Sequence, residues 1–438
     1  MRDDQHRGRR AAIGGRSEGG ALRRTARKPL AWLLISSWLW HVTRWNGLFL
    51  GTYLVTDLGG HPIANQFVGV AIFAPMLLGT WVAGSLRRGL DARKLVLVTE
   101  FVLLPVSVVM TLLVSTGAVQ TWMVYPFELA YGVGGMVNMT AQRELLLRIG
   151  GEARATRVLN AEVTGMASAM MAGPLLGGLS VGAFGLGAAF AVPAVLLAGS
   201  VPLLWLSTRR MPEGAGGPPI TPVPQANWRL LRRSRALAVT LLVTVICNLC
   251  YFAFIPLVPV IAQRLGAGAS LTGVIGSMAG LVQLVVAAAL VLRPSRRPLA
   301  AFAVGVALCL VGLGVLAYTP LVSVALLALG VAGVGQGLFG STQATLPVSA
   351  VAPDDRAAAF GLLTTTIGVA LPTGMVVLGV TSSLLGPQRA MLVTALAGLV
   401  VLGATVLLNR RVLGLPASGG AVGGGGERHP VAAQPELR

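Results

Sequence analysis

The chain has 438 residues, of which 54% are hydrophobic and only 11% charged, and its formal net charge is +19. Soluble domains carry about 25% charged residues, and a soluble protein this apolar would expose patches it could not cover. The length therefore does not stand for two or three soluble domains; it is one membrane body with short tails. The positive charge sits at the ends of apolar stretches, not on one soluble face. That weighs against nucleic acid as a partner and points to orientation signalling and contact with an anionic inner leaflet.

A bilayer core needs about 20 apolar residues per helix, and the chain supplies that length twelve times. The predicted spans are 30–55, 64–86, 95–115, 122–147, 156–180, 183–206, 237–262, 270–292, 299–318, 321–347, 357–384 and 388–409. Residues 1–29 read as a disordered basic tail. Arg23 and Arg24 precede an apolar run as in a twin-arginine signal, but the run is too long for a signal peptide and no small-residue cleavage site follows it. The first half is expected over 30–207 and the second over 237–410. Between them, 208–236 holds Gly214, Gly216, Gly217, Pro218, Pro219, Pro222 and Pro224 and reads as a flexible linker. The glycine-rich stretch after 411 reads as a second disordered tail.

Placing the first tail inside puts Arg87, Arg88, Arg93 and Lys94 on the inner side, followed by Arg143, Arg148, Arg154, Arg157, Arg209 and Arg210. The arginines at 229, 232, 233, 235, 293, 296, 297, 356, 410 and 411 fall there too. The opposite loops hold only Arg264 and Arg389. This asymmetry places both termini in the cytoplasm and the chain in the inner cell membrane as a multi-pass protein.

The halves echo each other. Phe67-Val68-Gly69 matches Leu271-Thr272-Gly273, Thr140-Ala141-Gln142 matches Ser341-Thr342-Gln343, and Arg154-Ala155 matches Arg356-Ala357, each pair roughly 200 residues apart. Paired halves of several helices are the sequence sign of a transporter whose site lies between repeats. The cysteines, Cys247, Cys250 and Cys309, all lie within spans and read as small buried hydrophobes, not as redox or metal groups.

Two motifs carry a family resemblance. Gly84-Ser85-Leu86-Arg87-Arg88-Gly89-Leu90-Asp91-Ala92-Arg93-Lys94 is similar to the loop after the second helix of the major facilitator superfamily. Arg88 stands where that loop carries an acid, and Asp91 is the nearby substitute; a plain basic loop explains much of the same segment. Ala172-Gly173-Pro174-Leu175-Leu176-Gly177-Gly178 resembles the G-P-x-x-G-G motif of the exporter branch, the drug–proton antiporters. Read physically, it is a helix kinked at Pro174 whose glycines admit another helix closely. The stretch from Arg154 through Leu159-Asn160-Ala161 to Gly178 is also similar to the enterobactin-exporter group, although Thr43-Arg44-Trp45-Asn46-Gly47 departs from that group's first helix. The resemblance covers 30–410. It implies an all-α membrane protein with twelve transmembrane helices in two six-helix pseudo-symmetric bundles, the major facilitator fold, with helices one, four, seven and ten lining a central cavity.

Ionisable groups inside spans are costly and mark function by default. Arg44 lies near the middle of the first span and Glu128 in the outer third of the fourth, so the two are expected to meet across the cavity. Glu128 would take up a proton, and Arg44 would hold it ionised when paired. The competing readings are a static packing pair and an Arg44 that binds an anionic substrate. His41, one turn from Arg44, is a further proton-transfer candidate. Asn46, Asn138, Asn248, Gln283 and Gln336 either line the site or join helices. Met136, Met139, Met166 and Met170 offer an adaptable apolar surface or core filling. Glu144, Glu152 and Glu162 with Arg143, Arg148, Arg154 and Arg157 form either an inner gate or a solvated charge run. Trp32, Trp122 and Trp228 fit the interfacial aromatic belt.

The sequence has no phosphate loop, no metal-ligand spacing and no hydrolytic constellation. The expectation is a monomeric, non-enzymatic, cofactor-free secondary transporter whose partners are a small-molecule substrate and protons. It would export an amphipathic compound such as a drug, siderophore or secondary metabolite. The alternatives are an importer of a small anionic nutrient and a membrane receptor or scaffold without transport.

Overall fold

The computed structural model describes residues 27–78, 90–151, 154–209, 227–293, 295–343 and 345–413. The tails, Gly84 to Gly89 of the first motif, Glu152 and 210–226 of the expected linker lie outside the described residues. All regular structure among the described residues is helical. The membrane helices are α1 (Arg27–Asp57), α2 (Pro62–Leu78), α3 (Ala92–Ser115), α4 (Thr121–Gly150), α5 (Ala155–Ala189) and α6 (Ala191–Thr208). The second half comprises α7 (Arg235–Arg264), α8 (Ala269–Leu292), α9 (Pro298–Tyr318), α10 (Val322–Ser349), α11 (Arg356–Leu385) and α12 (Pro387–Leu408). Nine of these are long and apolar enough to cross a membrane by length and composition alone. α1 and α4, of 31 and 30 residues, are long enough but carry polar side chains, and the described part of α2 is shorter.

Local chemistry sets the helix ends. Asp91 caps α3, its Oδ1 accepting from the Arg93 amide at 2.9 Å. Ser234 caps α7 through the Leu237 amide at 3.2 Å. Such acceptors satisfy amides that have no partner in the first turn. Prolines 105, 126, 174, 202 and 372 lie inside helices, tolerated because neighbouring helices take up the freed backbone groups.

The predicted boundary between the fifth and sixth spans, at 181–182, is displaced. α5 continues to Gly185, which leaves the helical region at φ 80° and ψ 168°. That left-handed geometry suits glycine because it has no Cβ. The uniformly apolar sequence there gives no polar turn to mark the site. α7 departs from a regular helix altogether. Arg235–Ile246 passes into a π turn at Cys247–Tyr251, then a 3-10 stretch at Phe252–Leu257, and becomes α-helical again at Val258–Arg264.

Apart from Arg44, Arg264 and Arg389, the described arginines lie at or near the helix ends on the side where α1 begins and α12 ends, here the basic side. Two helix pairs make the largest contacts between the halves, α5 with α8 and α2 with α11, and α7 also packs against α1 and α2. Their contacts repeat. A Cβ on Gly273 of α8 would stand 2.7 Å from the Pro174 carbonyl of α5, and one on Gly69 of α2 would stand 2.7 Å from Met375 Sδ of α11. Gly69 and Gly273, like Pro174 and Met375, lie roughly 200 residues apart, so the sequence repeat is a structural one. On the side away from the arginines, Asn65 Nδ2 of α2 lies 3.2 Å from the Pro256 carbonyl of α7, 3.0 Å from the Thr52 carbonyl and 2.8 Å from Thr56 Oγ1. One large apolar core is shared by the halves; in the first half it lies mainly away from the arginines, and in the second it also reaches Phe302, Leu346 and Leu413. At the basic side the first half has its own cluster around Val96, Ala141, Leu145 and Leu204, and the second half has another around Leu230, Leu237 and Leu362.

Candidate functional site

α1 runs through the first half with α4, α5 and α6 against it, and the polar groups meet on its surface. Arg44 is buried. Its Nη2 donates to the Ile72 carbonyl of α2 at 3.3 Å, its guanidinium carbon stands 4.9 Å from the centre of the Phe73 ring, and its Nε has no partner. The space for the head group comes from α4, where a Cβ on Gly135 would come within 2.9 Å of Arg44 Nε. A buried guanidinium with one long hydrogen bond and a ring face is under-satisfied for a group with five donors.

Glu128 is fully buried and neither of its carboxyl oxygens has a hydrogen-bond partner. It faces α1 over Gly51, where a Cβ would meet Oε1 at 2.6 Å, and over Gly47, where the separation is 3.8 Å. Arg44 and Glu128 therefore address the same two helices at different heights. Gly135, opposite Arg44, lies seven residues along α4 from Glu128, roughly two turns. The charged atoms do not form an ion pair within 4.0 Å. They also do not face each other across the molecule, because both belong to the first half and meet at the α1–α4 seam.

The remaining sequence candidates separate into groups. Asn46 does not stand open: its Nδ2 donates to the Gly173 carbonyl at 3.0 Å, tying α1 to the G-P-x-x-G-G segment. A Cβ on Gly173 would come 2.7 Å from the Asn46 amide nitrogen, and one on Gly178 would come 2.5 Å from Gly273 Cα. The glycines of that segment thus admit both α1 and α8. His41 is buried with its ring 5.1 Å from that of Trp40. Asn138 is buried with both amide atoms unpartnered. Asn248 sits in the π turn and donates back to the Thr244 carbonyl at 2.9 Å. Gln336 Nε2 donates to Tyr251 Oη at 2.7 Å and leaves its Oε1 unpartnered. Gln283 also keeps a buried unpartnered Oε1. Met136 is buried, while Met139, Met166 and Met170 are half-buried.

At the basic ends of α4 and α5, Arg143 pairs with Glu162 at 3.0 Å and Arg148 with Glu144 at 2.7 Å. Arg154 Nε donates to the Gly150 carbonyl at 3.0 Å, and Arg157 is exposed. Asp91 is engaged as the α3 cap, Arg93 follows it in the first turn, and Lys94 is exposed. Trp122 and Trp228 are exposed at helix ends.

Three buried polar features escaped the sequence reading. Glu100 of α3 is fully buried with both carboxyl oxygens unpartnered. Its signal, the only acid in its span, equals that of Glu128; attention to the four cavity-lining helices passes over it. Tyr251 is fully buried in an aromatic group with Phe252 and Phe254, and gave no signal beyond its type. Asn65 is the third, close to a predicted span end.

No curated protein matches the chain. Among solved structures, a bacterial homologue of the human lysosomal transporter Spinster, inward-facing and unoccupied, is similar with TM-score 0.67 and 14% identity, covering 89% of this chain and 97% of that one. An auto-inhibited POT family peptide transporter aligns with TM-score 0.66 and 15% identity, over 87% and 97% of the two chains. The nucleoside transporter NupG aligns with TM-score 0.61 and 16% identity, over 87% and 98%. These likenesses show the fold. A sequence profile of the Major Facilitator Superfamily matches residues 33–375. By that match and by its fold, the chain belongs to the Major Facilitator Superfamily.

Proposed function

We propose that this transporter is a proton-coupled exporter of an amphipathic small molecule, working by rocking of its two halves. The observation that carries the reading is Glu128, a buried carboxyl without a donor, two turns from a buried arginine that lacks a carboxylate. An unpaired ionised carboxylate is expensive in such a place, so the group carries a proton in this conformation. When a shift of α4 along α1 accompanies the rocking, Arg44 reaches Glu128 and the proton leaves. Substrate and proton then compete for one site, which couples their opposite movements.

The exporter direction is supported by the G-P-x-x-G-G segment. Its glycines bring α5 against α8 at backbone distance, a seam that seals one face of the path. The arginine asymmetry supports cytoplasmic termini in an inner cell membrane. That each half keeps a cluster of its own at the basic side, outside the shared core, supports a state open toward the cytoplasm. The similar structures are named for nucleoside and peptide transport, which differ in substrate, so the substrate class rests on the buried residues of this chain. Half-buried methionines and the aromatic group around Tyr251 favour a molecule with a large apolar part.

The test is proton movement in inside-out vesicles with an imposed pH gradient, on adding a panel of amphipathic compounds. Substrate-evoked proton release that disappears in folded Glu128→Gln protein is expected. A second reading, import of a small anion clamped by Arg44, draws on that guanidinium's unpartnered Nε. Silence toward every amphipath, with saturable uptake of an organic anion, would favour it instead.

A further inference from the structure

Ser36, Trp40, Arg44, Gly47 and Gly51 recur at intervals of four, four, three and four residues, so they share one face of α1. Buried ionisable groups lie along that face. Glu128 covers Gly47 and Gly51, and Arg44 stands in the middle. At the basic end, Ser36 Oγ lies 2.9 Å from Ser200 Oγ of α6, and Ser200 is beside Glu100 of α3. Trp40 reaches the same seam. Its Cζ2 and Thr99 Cγ2 stand 3.7 and 3.3 Å from where a Cβ on Gly134 would be, and its buried Nε1 has no partner. From Ser36 to Gly51 the face rises about 22 Å, most of the ~30 Å hydrocarbon thickness.

The hydrogen-bond inventory around Glu100 selects its protonation state. Ser200 Oγ donates to the Ser36 carbonyl at 3.1 Å, and in its 2.9 Å contact with Ser36 Oγ either hydroxyl can be the donor. Neither Glu100 oxygen has a hydrogen-bond donor. A carboxylate buried in that way is far more costly than the neutral acid. No charged side chain among the described residues pairs with Glu100. The cations and acids of the basic ends of α4 and α5 hold each other, as Arg143–Glu162 and Arg148–Glu144. On α1 the buried ionisable groups are His41 and Arg44, one and two turns past Ser36, with Lys28 at its basic end and Tyr53 and Asp57 at the other, and on α4 Glu128 lies beyond Arg44.

We propose that Glu100 is a second proton-carrying group, so that protons cross inside the first half along α1, with Glu100 serving the basic side and Glu128 the opposite side. Substrate passes between the halves and meets the proton route only at Glu128. The proposal rests on the proton-coupled reading above and adds a site and a route to it.

Two measurements test it on the full chain in lipid. Infrared difference spectra between acidic and alkaline buffer read the carboxylic-acid C=O band, with protons as the only probe. Glu100→Gln should remove one such band, and Glu100→Asp should shift it. In the vesicles, Glu100→Gln should lose about tenfold or more of pH-gradient-driven export of whichever compound the wild type moves, while substrate-for-substrate exchange, which carries no net proton, persists. A purely structural carboxyl would change both transport modes together and overturn the idea, as would an unaltered acid band. Wild-type protein that ignores the pH gradient overturns both readings, whereas wild type and Glu100→Gln responding equally overturns only this one. If Glu100→Gln does not fold, Ser200→Ala serves. It keeps the carboxyl but removes the hydroxyl beside it, and should shift the band and slow coupled export; an unshifted band refutes the assignment.

Discussion

The two halves share a backbone plan but not a chemistry. Within its helices the first half buries His41, Arg44, Glu100 and Glu128. The second half has no acid apart from Asp354 and Asp355, which precede α11, and its helix cations stand at helix ends, at Arg235, Arg264, Arg356 and Arg389. Counting by the repeat, the position of Arg44 falls near Asn248 and that of Gly135 near Gln336. Neutral amides and Tyr251 thus stand where the first half keeps its charge. The buried ionisable groups are thus concentrated in the first half, while the second offers neutral hydrogen-bonding groups and aromatic rings at the corresponding places.

The largest effect should come from the charged half. Glu128→Gln should cost on the order of 100-fold in pH-gradient-driven flux, the scale at which positioned proton carriers matter. Adding Gln336→Glu should not rescue it; rescue, measured in the same vesicles, would break the division. Next is the seam that the halves share. Gly178→Val places a side chain against the backbone of α8 at Gly273 and Ala269, where over-packing costs about 1–3 kcal/mol. A lowered thermal midpoint and a loss of both coupled export and exchange are expected. Tyr251→Phe in the neutral half strands the Gln336 amide and should cost about 1–2 kcal/mol. It should alter KM across a compound series and leave the proton response intact; a changed proton response would put coupling in both halves. Asn65→Ala should have the smallest effect, under about 1 kcal/mol in the balance of conformers, read as distances between spin labels on the α1–α2 and α7–α8 turns.

Much of this division was legible in the residues. The spans, the arginine asymmetry and the repeat follow from apolar length and charge, which a bilayer enforces along the whole chain. Arg44 and Glu128 stood out because hydrocarbon penalises charge, and Glu100 carried the same mark. Partnership was not legible. Whether Asn46 opens to a cavity or donates to Gly173 depends on where α5 crosses α1, and spacing within one helix does not encode that. The break at Gly185 lies in uniformly apolar sequence, and the polar Asn248 within Cys247–Tyr251 does not distinguish a π turn from a regular helix.

Asn65 has an arithmetic consequence. Its amide nitrogen carries two hydrogens, yet three acceptors surround it: two on α1, in its own half, and one on α7, in the other. At any instant one acceptor goes without. When the halves part and the Pro256 carbonyl withdraws, the hydrogen it held has a waiting recipient on α1, so the number of bonds made by the amide stays the same. The latch between the halves therefore fixes where they meet while adding little to the barrier for their separation.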